Sequence, residues 1–183
     1  LSLQIAAPFF TPFLAEELGA RAGAVAIVQV AASLSALPAQ RLFGPLVDRL
    51  GARRVRIVTG LLIPLLPMCW IFVQAPWHAI PINLIGGFLW AGFNLANFGL
   101  LLSVTPEGRR ERYSALYQMV VTGSFAVGAA LGGLVVDRWG YAVVFVLSGL
   151  GRLTAAVLYA WPLIRSLAAL IRSNPPKLRI KKL

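Results

Sequence analysis

Asn83, Trp90, Asn94 and Asn97 stand at helical spacing on one narrow face of an otherwise apolar stretch. Amide side chains both donate and accept hydrogen bonds, and an indole offers an apolar wall with one donor. Such a surface suits a neutral or weakly polar solute. It carries no charge. Polar residues also punctuate two other apolar stretches: Gln4 and Thr11 in the first, then Gln29, Ser33 and Gln40 on one face of the second. A different set is charged. FGPLVDRLGARRVR, residues 43–56, places Asp48 beside Arg49, Arg53, Arg54 and Arg56, with Gly44 and Gly51 around the acid. Catalysis needs a nucleophile, a base or metal ligands gathered together. One histidine (His78), one cysteine (Cys69) and two acids at helix ends (Asp48, Asp137) do not make such a set. No enzymatic reaction, metal or cofactor is therefore expected.

Composition describes the elements that must hold these residues. Apolar side chains make up 58% of the chain and charged ones 13%, whereas a soluble domain is about one-quarter charged. There is too little charge to wet a surface. Apolar runs near the ~20 residues that cross a bilayer recur along the chain. The fold class expected is an all-α, multi-pass membrane protein. Its six spans fall at about 1–15, 24–47, 55–73, 80–104, 114–136 and 142–164, followed by a basic cytoplasmic tail at 165–183. The first span is short, as if its beginning were missing. Pro64 and Pro67 are tolerable in the third, because neighbouring helices can satisfy the freed carbonyls. Thr105, Pro106 and Glu107 read as the start of the fifth helix. Cys69 lies inside an apolar run, reads as a buried thiol, and leaves no disulfide within the chain.

Even spacing puts residues 41–56, the loop at 105–113 and the tail on one side of the membrane. That side carries Arg41, Arg49, Arg53, Arg54, Arg56, Arg109, Arg110 and Arg112, then the basic tail; the other side has only Arg21 and Arg138. Basic loops stay cytoplasmic during insertion, which sets the orientation and accounts for the net charge of +11. This charge sits on short loops and not on a folded face with aromatics nearby, so nucleic acid is not expected as a partner. Anionic lipid headgroups are the simpler partner for the tail.

The charged stretch has an echo. GPLVDRLG (44–51) returns as GLVVDRWG (133–140), matching Gly44, Val47, Asp48, Arg49 and Gly51 with Gly133, Val136, Asp137, Arg138 and Gly140. One copy ends span two and the other ends span five. Three spans separate them, so they face opposite sides of the membrane. An inverted three-helix repeat, a device of transporters, predicts this arrangement. Small residues and turn charges also end many membrane helices without any repeat.

Gly44-Pro-Leu-Val-Asp48-Arg49-Leu-Gly51-Ala-Arg53-Arg54 resembles the signature loop of the major facilitator superfamily, written roughly G-x-x-x-D-R-x-G-R-R. That loop joins the second and third helices of each six-helix half. Ala52 departs from the Arg or Lys often found there. PFFTPFLAEELGA resembles the first helix of a C-terminal half, and GFLWAGFNLANFGLLLSVTPEGRRERYSALY its fourth helix, inner loop and fifth helix. The resemblance implies the C-terminal half of a twelve-helix transporter, paired with a missing N-terminal six-helix half; an N-terminal half is the alternative assignment. It implies secondary-active transport of a small solute by alternating access, with or without a coupling proton, in the plasma (inner) membrane of a bacterium. Gly44, Asp48, Arg49, Gly51, Arg53 and Arg54 would form a gating loop that latches the two halves, unless the loop only anchors topology. Gln4, Thr11, Trp90, Asn94 and Asn97 would line the substrate path. Gln29 is equally placed to line it or to bond between helices. Arg152, in mid-span, is either a functional charge or a partner of carbonyls or an acid within the bundle. A non-transporting membrane scaffold of the same fold is the alternative function, and it would not need the asparagines aligned.

Overall fold

A computed structural model describes the backbone of residues 2–106 and 108–173, with side chains over 4–106, 108–162 and 165. Glu107 and most of the expected tail lie outside the described residues. Within them every regular element is helical. A chain that turns apolar side chains outward in lipid must satisfy its own backbone, and helices do this within a single segment.

The first stretch is a jointed rod. Ser2–Ala6 (α1) passes into a 3₁₀ turn at Ala7–Phe9, then Phe10–Pro12 (α2), then a π-helical turn at Phe13–Glu17. Pro8 and Pro12 lack the N–H that a regular helix would use, so the hydrogen-bond ladder changes register around them. Ala22–Leu50 (α3) follows, then Ala52–Leu62 (α4) and Leu65–Trp70 (α5). Pro64 stands in the break between these last two, and Pro67 lies within α5. A short turn at Pro76–His78 leads into Ala79–Val104 (α6). Arg110–Ser173 (α7) is two arms that meet at Gly140, where φ is 80° and ψ 174°. Three of the described stretches are long and apolar enough to cross a membrane: Ala22–Leu50, Pro76–Val104 and Arg110–Pro162. They overlap residues 24–47, 80–104, 114–136 and 142–162.

Three local expectations are corrected. The stretch 43–56 is not a loop. Helix α3 runs through it to Leu50, the turn is confined to Gly51 (φ 84°, ψ 141°), and α4 starts at Ala52. Thr105 does not open the fifth helix. It closes α6, its Oγ1 donating to the Leu101 carbonyl at 2.6 Å, and α7 begins only at Arg110, after Gly108 turns at a φ of 82°. A threonine hydroxyl competes readily for the carbonyl four residues back, which suits a helix end. Cys69 is exposed rather than buried, because Leu66, Pro67, Trp70 and Val73 take the inward face of its segment.

α3 lies along α6, and the jointed rod lies along the first arm of α7. Small residues let both pairs approach closely. A Cβ on Gly92 would sit 2.6 Å from the Phe43 ring, and one on Gly132 would sit 2.3 Å from the Ile5 carbonyl oxygen. One end of the bundle is an aromatic core. Phe10 stacks on Phe145 (5.1 Å between centroids) and meets Trp70 (4.7 Å), while Phe13 meets Phe145 edge-on (5.4 Å). Leu14, Val28 and Val144 are buried with them. The other end has only a small core of Ala39, Phe43, Val55 and Ala96. Leu34, Leu37, Phe72, Met119, Val120 and Leu158 all face outward, as side chains in contact with lipid acyl chains should.

Candidate functional site

Beside the contact of α3 with α6 lies a groove of about 460 Å³, lined by Ser33 and Gln40 on α3 and by Trp90 and Asn94 on α6. At its edge the two helices touch closely, and a Cβ on Gly87 would sit 2.0 Å from the Ala32 carbonyl oxygen. Ser33 and Gln40 are seven residues apart and Trp90 and Asn94 four, so each helix offers one face. The described lining holds no charged residue. It offers a hydroxyl, two amides and an indole, enough to orient a neutral polar molecule by hydrogen bonds.

The other residues of the expected path are placed differently. Gln29 Nε2 donates to Thr11 Oγ1 at 2.9 Å, tying the jointed rod to α3. Gln4 is half-buried on the contact with α7, where a Cβ on Gly128 would come within 2.7 Å of the Gln4 Cβ. Asn97 Nδ2 donates to the Tyr117 hydroxyl at 2.6 Å, joining α6 to α7. It borders a separate hollow of about 290 Å³ with Arg56, Tyr117 and Tyr159. Asn83 donates back to the Ala79 carbonyl at 3.0 Å. The aligned face of α6 is thus divided between α3, α7 and its own backbone, and Trp90 and Asn94 are its members in the groove.

The charged stretch is exposed. Asp48 and Arg49 occupy the last turn of α3, and Arg53 and Arg54 the first turn of α4. No side chain makes a capping hydrogen bond to the N-terminus of α4. Among the described residues the side chains of Asp48, Arg49, Arg53 and Arg54 form no hydrogen bond or ion pair. Gly44 lies within α3 with nothing within 4 Å of where a Cβ would be.

Arg56 departs from its neighbours, and sequence reasoning missed it by grouping it with the loop arginines. It is half-buried, with its guanidinium 4.1 Å from the centroid of the Tyr159 ring and 5.9 Å from that of Phe93. Arg152, only 5% exposed, joins it around a cavity of about 140 Å³ walled by Trp90, Phe93 and Tyr159. The available signal was spacing. Arg56, Ile57, Gly60 and Ile63 share one helical face, and Arg152, Ala155, Ala156 and Tyr159 share another with a notch of two alanines.

An all-helical bundle with long apolar helices, apolar side chains turned outward and a charged glycine turn between two helices has the build of an integral membrane protein. The chain matches the Major Facilitator Superfamily over residues 1–181 and belongs to that family. It is also similar to two fungal proteins, both called Autophagy-related protein 22-2. The one from Aspergillus clavatus is 27% identical over 104 residues, covering 50% of this chain and 17% of the relative. The one from Sclerotinia sclerotiorum is 32% identical over 68 residues, covering 37% of this chain and 10% of the relative. The matches span less than one-fifth of the length of these curated relatives.

Proposed function

We propose that this chain is the C-terminal six-helix half of a twelve-helix transporter, and that with an N-terminal half it carries a small neutral or weakly polar solute by alternating access. The uncharged groove of Ser33, Gln40, Trp90 and Asn94 carries this reading. Intramembrane polar groups are costly unless wetted or paired, and an open groove beside two long helices wets them. The scaffold alternative leaves this groove without a purpose.

The inverted repeat is supported by paired features. The jointed rod, α3 and α4–α5 form one triplet; α6 and the two arms of α7 form the other. Gly51 and Gly140 end the middle member of each at nearly the same φ, 84° and 80°. α3 packs on α6 as the first arm of α7 packs on the jointed rod, the exchange of partners expected of inverted triplets. In this reading Asp48, Arg49, Arg53 and Arg54 face the cytoplasm and latch onto the other half. Their exposure and lack of partners among the described residues support that role. The groove offers no carboxylate or imidazole, so a coupling proton would need a carrier from the other half. The proposed location is the inner membrane of a bacterium, with anionic lipid at the basic tail. Both named relatives are fungal, and fractionation of the native cells decides the compartment.

Replacing Asn94 tests the groove. Asn94→Ala should weaken solute binding several-fold, the loss of one hydrogen bond to a neutral ligand at about 0.5–1.5 kcal/mol, with the melting temperature unchanged. Both are measured on one preparation. A lower melting temperature with unaltered affinity would make Asn94 a structural tie and overturn the assignment.

A further inference from the structure

We propose that the hollow bordered by Arg56, Asn97, Tyr117 and Tyr159 seats the headgroup of an anionic phospholipid. It has a volume of about 290 Å³ and gathers residues from α4, α6 and both arms of α7. Arg152 lines the neighbouring cavity and not this hollow. The polar groups here are mostly donors. Asn97 Nδ2 donates to the Tyr117 hydroxyl, and the phenol's own hydrogen meets no acceptor among the described residues. The Tyr159 hydroxyl likewise donates to none of them. Arg56 lies half-buried over the Tyr159 ring, its guanidinium 4.1 Å from the ring centroid. The contact is made through the guanidinium's face, and its N–H groups, which can only donate, meet no acceptor among the described residues. The described lining holds no carboxylate. A group rich in acceptors completes such a site. A phosphodiester is one, and the guanidinium fork matches its oxygens two at a time.

The rest of the wall and its depth identify the carrier. Leu100, Leu101 and Val104 supply the apolar side, and Val104, the last residue of α6, is exposed at the rim. A free phosphate gains nothing from these side chains, whereas the glycerol and acyl chains of a lipid lie along them. Arg56 stands four residues into α4, and Asn97 and Tyr117 stand seven residues from the nearer ends of α6 and α7. At 1.5 Å per residue these depths are about 6–10 Å, next to the ~5–8 Å that headgroups occupy on each face of a bilayer. The hollow equals roughly ten waters at about 30 Å³ each, room for a phosphate and its glycerol while the tails stay in the bilayer. Exposed Arg53 and Arg54, on the first turn of α4, draw anionic lipid toward this end of the bundle. The site is separate from the basic tail. It shares no lining residue with the uncharged groove and does not depend on what the groove carries.

The test uses the full-length protein, delipidated in detergent, with thermal unfolding followed as ligand is added. Separate series add phosphatidylglycerol, phosphatidylcholine and inorganic phosphate. The expected result is a saturable rise in melting temperature with phosphatidylglycerol, beyond any rise with the other two. Arg56→Gln should raise the phosphatidylglycerol concentration at half-effect about tenfold or more, the scale of a lost charge-assisted contact. Tyr159→Phe keeps the ring beneath Arg56, removes only the hydroxyl, and should raise it about threefold. Arg41→Gln, at an exposed arginine of α3 outside the hollow, should leave it as in the parent. Val104→Trp blocks the rim without removing a charge and should weaken the response about tenfold or more as well, which keeps the test decisive if Arg56→Gln does not fold. A response to phosphatidylcholine or inorganic phosphate equal to that with phosphatidylglycerol overturns the assignment. So does a parental response in Arg56→Gln or, where that variant does not fold, in Val104→Trp.

Discussion

At Gly51 the backbone turns with φ 84° and ψ 141°; at Gly140 it turns with φ 80° and ψ 174°. The two turns close copies of the same short sequence, yet they are held differently. Beside Gly140, the Tyr141 hydroxyl donates to the Glu16 carboxylate, and its ring meets Phe13 edge-on at 5.6 Å. About two helical turns earlier, Gly132 admits the Ile5 backbone and the Phe9 ring. This copy is bound into the aromatic core. Asp48, Arg49, Arg53 and Arg54 around Gly51 point outward, as Asp137 and Arg138 do before Gly140, but Gly44 has open space beside it. A turn of the same shape is thus tied to the aromatic core in one copy and rests on a small core of Phe43, Val55 and Ala96 in the other. Exposed ion pairs are worth only about 0–1 kcal/mol each. A contact made by the Gly51 turn can therefore form and release readily, as a latch must.

The sharpest way to break this comparison is at the copy tied to the aromatic core. Gly132→Ala would put a methyl 2.3 Å from the Ile5 carbonyl oxygen, a backbone atom that cannot swing aside. Overpacking of this kind costs about 1–3 kcal/mol, so the melting temperature in detergent should fall by several degrees. An unchanged value would show that this end is not tightly held.

A smaller effect separates the two acids. Asp48→Asn should slow transport up to about fivefold, with expression retained, because an exposed charge near a helix end contributes about 0.3–1 kcal/mol to a two-state contact. Asp137→Asn, beside the turn already bound within the chain, should leave transport near the parent rate. Equal losses in a transport assay would erase the distinction.

The smallest effect is at Gly44. Gly44→Ala meets no neighbour among the described residues and removes a flexible residue from the interior of α3. It should leave the melting temperature unchanged or raise it, by at most about 0.5–1 kcal/mol of stability. A fall would reveal a close neighbour at this face in the assembled protein and would sharpen the latch proposal.

Much of the fold was legible because it depends on local rules. Apolar composition and run length identify lipid-facing helices, since any long apolar stretch in lipid must satisfy its backbone internally. The two glycine turns were visible because a positive φ is the requirement of a single residue. The prolines were harder to read: Pro64 was expected to lie within one span and instead falls in a break, whereas α3 runs through Pro38 and Pro45 to Leu50. The charged stretch was recognisable by its residues, and its exposure followed from its charge.

Which residues share a cavity was a decision of the tertiary structure. Periodicity shows that Asn83, Trp90, Asn94 and Asn97 lie on one side of α6, but a helix face meets different neighbours along its length. Asn94 looks into the space beside α3, Asn97 reaches Tyr117 on α7, and Asn83 returns to its own backbone. Arg53 and Arg56 show the same division. They are less than one helical turn apart, and nothing local distinguishes them. Arg53 remains exposed at the helix end, while Arg56 lies deep enough for Tyr159, more than a hundred residues later in the chain, to cover it. Side-chain type and spacing determine what a residue can bind. Only the packing of distant helices determines what stands opposite it, because that depends on contacts the local sequence does not encode.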